Sequence, residues 1–187
     1  MKKWINRLVK MTFTSGLLMA QTAFAGPDLK PVSYVDLKRY MGDWNVIANI
    51  PNFIEKDCVS SVESYALRED GKIDNWFVCH KANGKQTRLT SLGWVVDPVT
   101  NAEWRIRFNL FGSIPFPISF SYVVIDLDPV NYSYTVVGHP NRSLLWIMAR
   151  EKSIDPKTYQ EILERVEKQG YDLSKIVKLP QTGKSTP

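Results

Sequence analysis

Gly42-Asp43-Trp44-Asn45-Val46-Ile47-Ala48-Asn49-Ile50 is the stretch that decides how this chain is read. A glycine-x-tryptophan triplet opens an apolar run, and Pro51-Asn52 ends it. Seven further runs rich in β-branched and aromatic residues follow, each bounded by turn chemistry. Residues 59–67 meet Glu69-Asp70-Gly71, a hairpin signal, before 73–80, and Asn83-Gly84 precedes 87–96. Asp97-Pro98 leads to 103–110, and 122–127 runs into Asp128-Pro129. Residues 133–138 meet His139-Pro140-Asn141, and 143–150 closes the series. Connections this short exclude crossover helices, so the order is an antiparallel meander. Closing it removes both edges. The expected class is all-β, an eight-stranded antiparallel up-and-down barrel, with a two-sheet sandwich as the competing arrangement.

Beyond residue 150 the period changes from two to about 3.6. Asp155 is placed to cap a helix, Pro156 sits in its first turn, and Tyr159, Ile162, Leu163 and Val166 form one apolar stripe. Gly170 supplies the left-handed stop. A helix with a single apolar face must pack on something, and the outer wall of the barrel is the available surface. Residues 171–179 suit a further short strand, and 181–187 read as a disordered tail after a barrel domain of 26–180.

The N-terminus reads as a separate object. Lys2, Lys3, Arg7 and Lys10 precede the apolar stretch 11–20, and Ala23-Phe24-Ala25 stands before Gly26. This is the three-part pattern of a cleaved signal peptide, residues 1–25, and the apolar stretch is too short to span a bilayer. No cysteine stands near the cleavage point, so the expected product is soluble in the periplasm or secreted, without a lipid anchor. Four of the 24 basic residues and none of the 19 acidic ones lie in this leader. The remainder is therefore nearly neutral, and the basic overall charge is no argument for nucleic acid. His80 and His139 show no metal-ligand spacing, so no metal site is expected.

The Gly42-x-Trp44 triplet, followed some hundred residues later by Ser143–Arg150 ending in arginine, resembles the lipocalins, especially the bacterial outer-membrane and apolipoprotein D type. Residues 122–128, 134–138, 145–150 and 170–175 are similar to that group in order and spacing, and the resemblance runs from Val35 to Leu179. Three features depart from it. Asn45 follows Trp44 where many members have tyrosine, Leu127-Asp128-Pro129 replaces a Thr-Asp-Tyr turn, and the anchoring cysteine of many bacterial relatives is missing.

The resemblance implies that Trp44 forms the floor of a cup, with Arg150 stacked beneath it and Gly42 completing the motif. Alternation then puts Val46 and Ala48 inward with Trp44, and Leu144, Trp146 and Met148 inward on the last strand. The family's pattern groups Glu63 with Tyr65, Asn75 with Phe77 and Cys79, Phe108 with Leu110, and Tyr122 with Val124. The implied ligand-binding residues are Trp146, Tyr122, Phe108, Phe77, Tyr65, Leu144 and Val124, with Phe116 from the apolar segment 109–120. Trp94 is expected to face outward. Segments 51–57 and 109–120 fall at the open end, where their Phe and Ile side chains either meet a ligand tail or a membrane surface or fold over the rim.

The function implied is carriage of fatty acids, lysophospholipids or similar apolar ligands, in envelope maintenance or stress, with no catalytic group and no cofactor. A polar head would stay near Asn141, Arg142 and residues 81–88. Two other classes compete. One is a lipocalin-type enzyme using Cys79 as a cavity thiol, and the other is an interaction module with an empty barrel. Cys58 and Cys79 lie within a few residues of register across the Gly71 hairpin, in a compartment that permits a disulfide. The register leaves the bond open. Its formation would exclude the thiol.

Overall fold

β1 (Gly42–Asn49) is the strand on which the barrel closes, because it is bonded at both ends of the meander. The computed structural model describes residues 28–110 and 114–182, so the expected leader and its cleavage point lie outside the described residues. The strands that follow are β2 (Cys58–Leu67), β3 (Ile73–Lys81), β4 (Gln86–Val95), β5 (Glu103–Leu110) and β6 (Ile114–Pro115). Then come β7 (Phe120–Leu127), β8 (Tyr134–Gly138), β9 (Leu145–Ala149) and β10 (Val177–Lys178). Eight of these pair antiparallel in chain order, and β9 returns to β1 through Asn45↔Ala149 and Asn49↔Trp146. The sheet is thus a closed barrel and not a sandwich. The short β6 folds back on β5, and β10 pairs with β1.

Two bulges correct the alternation read from the sequence. In β1 the register shifts between Val46 and Ala48, so Val46 stays inward while Ile47 and Ala48 both turn outward. Ala48 therefore lies on the outer face and not in the lumen as expected. The extra residue restores Asn49 to the inner face, opposite Trp146. A second bulge between Val124 and Asp126 turns Ile125 and Asp126 outward together.

Those outward residues receive the helix. α2 (Pro156–Lys168) starts at Asp155, whose carboxylate accepts from the Lys157 and Thr158 amides at 3.0 and 3.1 Å. Tyr159, Ile162 and Val166 bury their stripe on Ile47, Ala48, Val123, Ile125, Val136, Leu145 and Ile147. Arg165 pins the helix by donating to Asp126 at 2.7 Å. Gly170, at φ +86°, ends it as the sequence indicated. Downstream, Leu179 donates its amide to Ile47, and Gln181 donates to the carbonyls of Val59 and Val46. Gln181 is thus tied to the wall and is no part of a free tail. Residues 183–187 lie outside the described residues.

Cys58 and Cys79 are bonded to each other, with Cα atoms 5.6 Å apart. The pairing is offset, Cys58 opposite Lys81 and Cys79 opposite Ser61. A bulge between Cys58 and Ser60 lies at the start of β2 beside this bond.

Candidate ligand-binding cavity

The closed end of the barrel is built first by a short helix, α1 (Leu37–Tyr40), capped by the Asp36 carboxylate. It delivers Tyr40, fully buried, against the Trp44 ring at 5.2 Å. Trp44 Nε1 donates to the Tyr40 carbonyl at 2.8 Å, which satisfies the one polar group of a fully buried indole. The Arg150 guanidinium lies 3.7 Å from the Trp44 ring centre. It donates to the carbonyls of Arg39, Tyr40 and Met41 through Nη2 and of Asp43 through Nη1. Gly42, at φ +90°, takes the turn that carries these carbonyls past the guanidinium. The guanidinium thus holds the floor from below.

Above it stands an aromatic layer. Trp104 stacks on Tyr122 at 4.8 Å, while Tyr40 and Tyr65 meet Trp104 edge-on. Tyr40 and Tyr122 share a hydrogen bond of 2.8 Å, and Tyr122 donates to Tyr65 at 3.0 Å. Burial pushes the Tyr40 phenol up to about 12 and those of Tyr65 and Tyr122 well above their usual value. The three hydroxyls therefore stay neutral and bond one another.

Over this layer opens a cavity of about 370 Å³. That lies within the range of small-molecule sites, about 300–1,000 Å³. Ile106, Val137, Met148, Leu89, Phe108, Phe120, Leu144 and Trp146 supply an apolar wall. Asn52, Phe53 and Ile54 enter from the segment between β1 and β2, and Phe116 enters from the segment after β5. Phe116 stacks with Phe120 at 6.5 Å, and Phe120 meets Phe108 edge-on at 5.7 Å. Each mouth segment divides its apolar residues. Phe116 and Ile54 turn in, whereas Ile114 and Ile118 remain exposed and Phe53 is 90% exposed while still bordering the cavity.

Among the residues singled out from sequence, Trp146, Tyr122, Phe108, Tyr65, Leu144 and Phe116 line this cavity. Phe77 and Val124 do not. Both are buried, Val124 in the inner core cluster that also holds Trp44 and Trp104, but neither is part of the cavity lining. Trp94 is on the outer face, with the Arg107 guanidinium 5.8 Å from its ring. Both sulfurs of the candidate thiol pair are consumed by the disulfide. Among the described residues no cluster of His, Cys, Asp and Glu could hold a metal.

Two carboxyls went unrecognised as site chemistry. Glu63 lines the cavity, and burial pushes its carboxyl up to about 8, an effect the Asn75 amide opposes and Glu55 adds to. Asn75 Nδ2 donates to Glu63 Oε2 at 2.5 Å, and Ser91 Oγ holds Asn75 from behind at 2.6 Å. Glu55 dips in from the mouth and accepts from Trp146 Nε1 at 2.8 Å and from Asn52. Its carboxyl is also raised, by burial first, with Trp146, Asn52 and Asn49 offsetting part of that. Glu63 was legible as an acid on an inward face of β2. Glu55 sits in an irregular segment where no period applies.

The family model described as a lipocalin-like domain matches residues 35–181. Temperature-induced lipocalin-1 of Arabidopsis thaliana is 32% identical over 162 residues, covering 83% of this chain and 84% of that protein. The outer membrane lipoprotein Blc of Vibrio cholerae is 28% identical over 157 residues, covering 82% and 86%. Insecticyanin from the tobacco hornworm Manduca sexta superposes with a TM-score of 0.64 at 20% identity, over 82% of this chain and 85% of that one.

Proposed function

The chain belongs to the lipocalin family, whose members bind small hydrophobic ligands, and from that premise we propose that it carries an elongated apolar ligand in its barrel. The observation that supports this most directly is the cavity of about 370 Å³ between the aromatic floor and the mouth segments. Its wall is almost entirely aromatic and aliphatic. Each methylene buried there contributes about 0.8 kcal/mol, so a chain of fatty-acid or lysophospholipid type would gain affinity from length alone. No catalytic group is needed, and the disulfide leaves no thiol at Cys79 for the enzymatic reading.

Trp146 gives the test. It lines the cavity on β9 and donates to Glu55, so its indole faces the ligand and ties down the mouth segment at once. Its fluorescence should respond to lysophospholipid or fatty acid at micromolar concentration. Trp146→Ala should weaken binding by roughly 5- to 150-fold, the equivalent of about 1–3 kcal/mol. Trp94→Phe, on the outer face, is the control. A folded Trp146→Ala protein that binds both lipids at wild-type strength would place the ligand outside the barrel.

The setting proposed is the periplasm, on the strength of the leader pattern in residues 1–25. The intact mass of the exported protein should begin at Gly26 without an acyl adduct, and retention of the leader or an added lipid would refute that. Phe53, Ile114 and Ile118, exposed at the mouth, suit loading from a membrane surface.

A further inference from the structure

Among the described residues Glu63 is the only charged side chain that lines this cavity, and the acid nearest to it, Glu55, sits just behind the lining as the acceptor of the Trp146 indole. Glu63 is half-buried on the cavity wall, with Asn75 as its hydrogen-bond donor. Glu55 is 6% exposed, and its Oε1 is buried without a hydrogen-bond partner. The two are close enough for Glu55 to add to the cost of ionising Glu63. The other titratable groups facing Glu63 are the phenols of Tyr65 and Tyr40, both neutral, and a negative charge at Glu63 further disfavours their ionisation. Among the described residues no lysine, arginine or histidine lines the cavity. Arg150 lies on the far side of the Trp44 ring and spends its donors on backbone carbonyls. A purely apolar ligand gives these carboxyls nothing, and an unpaired buried charge is expensive.

Resting on the cavity-binding reading above, we propose that the barrel selects amphiphiles bearing a protonated nitrogen, which sits at Glu63 within reach of Glu55 while the apolar chain fills the wall of Ile106, Phe108 and Phe120. The ligand brings the counter-charge that the fold omits. With the cavity unfilled, Glu63 meets the cost of burial by holding a proton up to a pH of about 8. A cation entering at neutral pH displaces that proton to solvent and forms an ion pair with the carboxylate. Binding is then coupled to proton release, and affinity for a fixed cation rises with pH until Glu63 is ionised without help. An anionic head at the same depth would meet two acids, so a fatty carboxylate is held there only with its own proton retained.

Dodecylammonium, dodecanol and dodecanoate, matched in chain and kept below micellar concentration, provide the probes. Their affinities are read by calorimetry on the full-length exported protein between pH 6 and 9. Alkylammonium, like lysine, titrates near about 10.4 and stays charged across this range. The expected result is a dodecylammonium-to-dodecanol affinity ratio that climbs by up to roughly tenfold per pH unit until about pH 8 and then levels. At pH 9 the amine should be the tightest of the three. Glu63→Gln, which keeps an acceptor for Asn75, should cut the ratio at pH 9 at least tenfold and flatten its pH dependence. A ratio in the wild type that does not change with pH overturns the proposal whether or not Glu63→Gln folds. An unchanged ratio in folded Glu63→Gln does so too. Dodecanol that binds without any preference for the amine removes only this proposal. Failure of all three probes to bind would remove the carrier reading itself.

Discussion

Trp44→Ala should lower the free energy of unfolding by about 3–5 kcal/mol, the range for loss of a large buried aromatic. The indole is fully buried at the one place where α1, β1 and the end of β9 meet. Removing it takes away the ring under which Arg150 lies, the partner of Tyr40, and the donor to the Tyr40 carbonyl. The neighbours cannot collapse into the space, because Tyr40, Tyr65 and Trp104 are fixed by their own ring contacts and hydrogen bonds. Arg150→Ala should cost less, about 1–3 kcal/mol, since the carbonyls it leaves are near solvent and can be hydrated. The midpoint of a urea titration measures both. A Trp44→Ala midpoint equal to the wild type would refute the floor.

Replacing both cysteines, Cys58→Ser with Cys79→Ser, should cost about 2–4 kcal/mol. The bond closes a loop spanning 21 positions that contains β2 and β3 up to Cys79, so breaking it frees that hairpin in the unfolded chain. A reducing agent should lower the melting temperature of the wild type towards that of the double variant and leave the variant itself unmoved. Equal stability of the oxidised wild type and the double variant would show that the bond adds nothing. The loss should appear first at the mouth, because Cys58 begins β2 where the segment carrying Glu55 joins the wall.

The floor was legible through the resemblance, because Gly42-x-Trp44 and the arginine ending the last strand match the lipocalin pattern in order and spacing. The part played by Tyr40, delivered by α1 against the Trp44 ring, had no such signal. The strands were legible because Gly, Asn, Asp and Pro punctuate them, and the helix because its cap, stripe and stop all agree. The bulges were not. Val46-Ile47-Ala48 and Val123-Val124-Ile125 are apolar throughout, so alternation has no polar residue with which to betray a slip, and Ala48 was assigned to the wrong face. Depth along the barrel axis was equally hidden. Val124 and Phe77 have the inward parity of a lining residue, but parity says nothing about height, and neither borders the cavity. Glu63 carried a readable signal, an acid on the inner face of β2, and its meaning depended on the absence of a cation across the lumen. That is a property of the closed barrel and of no single strand.

The return of β9 and β10 to β1 has a consequence for how the molecule is made. Residues 42–49 find their partners at 145–149 and 177–178, so the first strand cannot complete its ladder until nearly the whole chain is available. Closing so long a loop spends entropy before it is rewarded, which makes the last step of assembly a slow one. Until then β1 presents a bare edge of exactly the kind that recruits strands from neighbouring chains. The hazard of aggregation therefore belongs to the interval before the seam forms, and a chaperone that covers β1 during that interval would protect the protein at its most exposed moment.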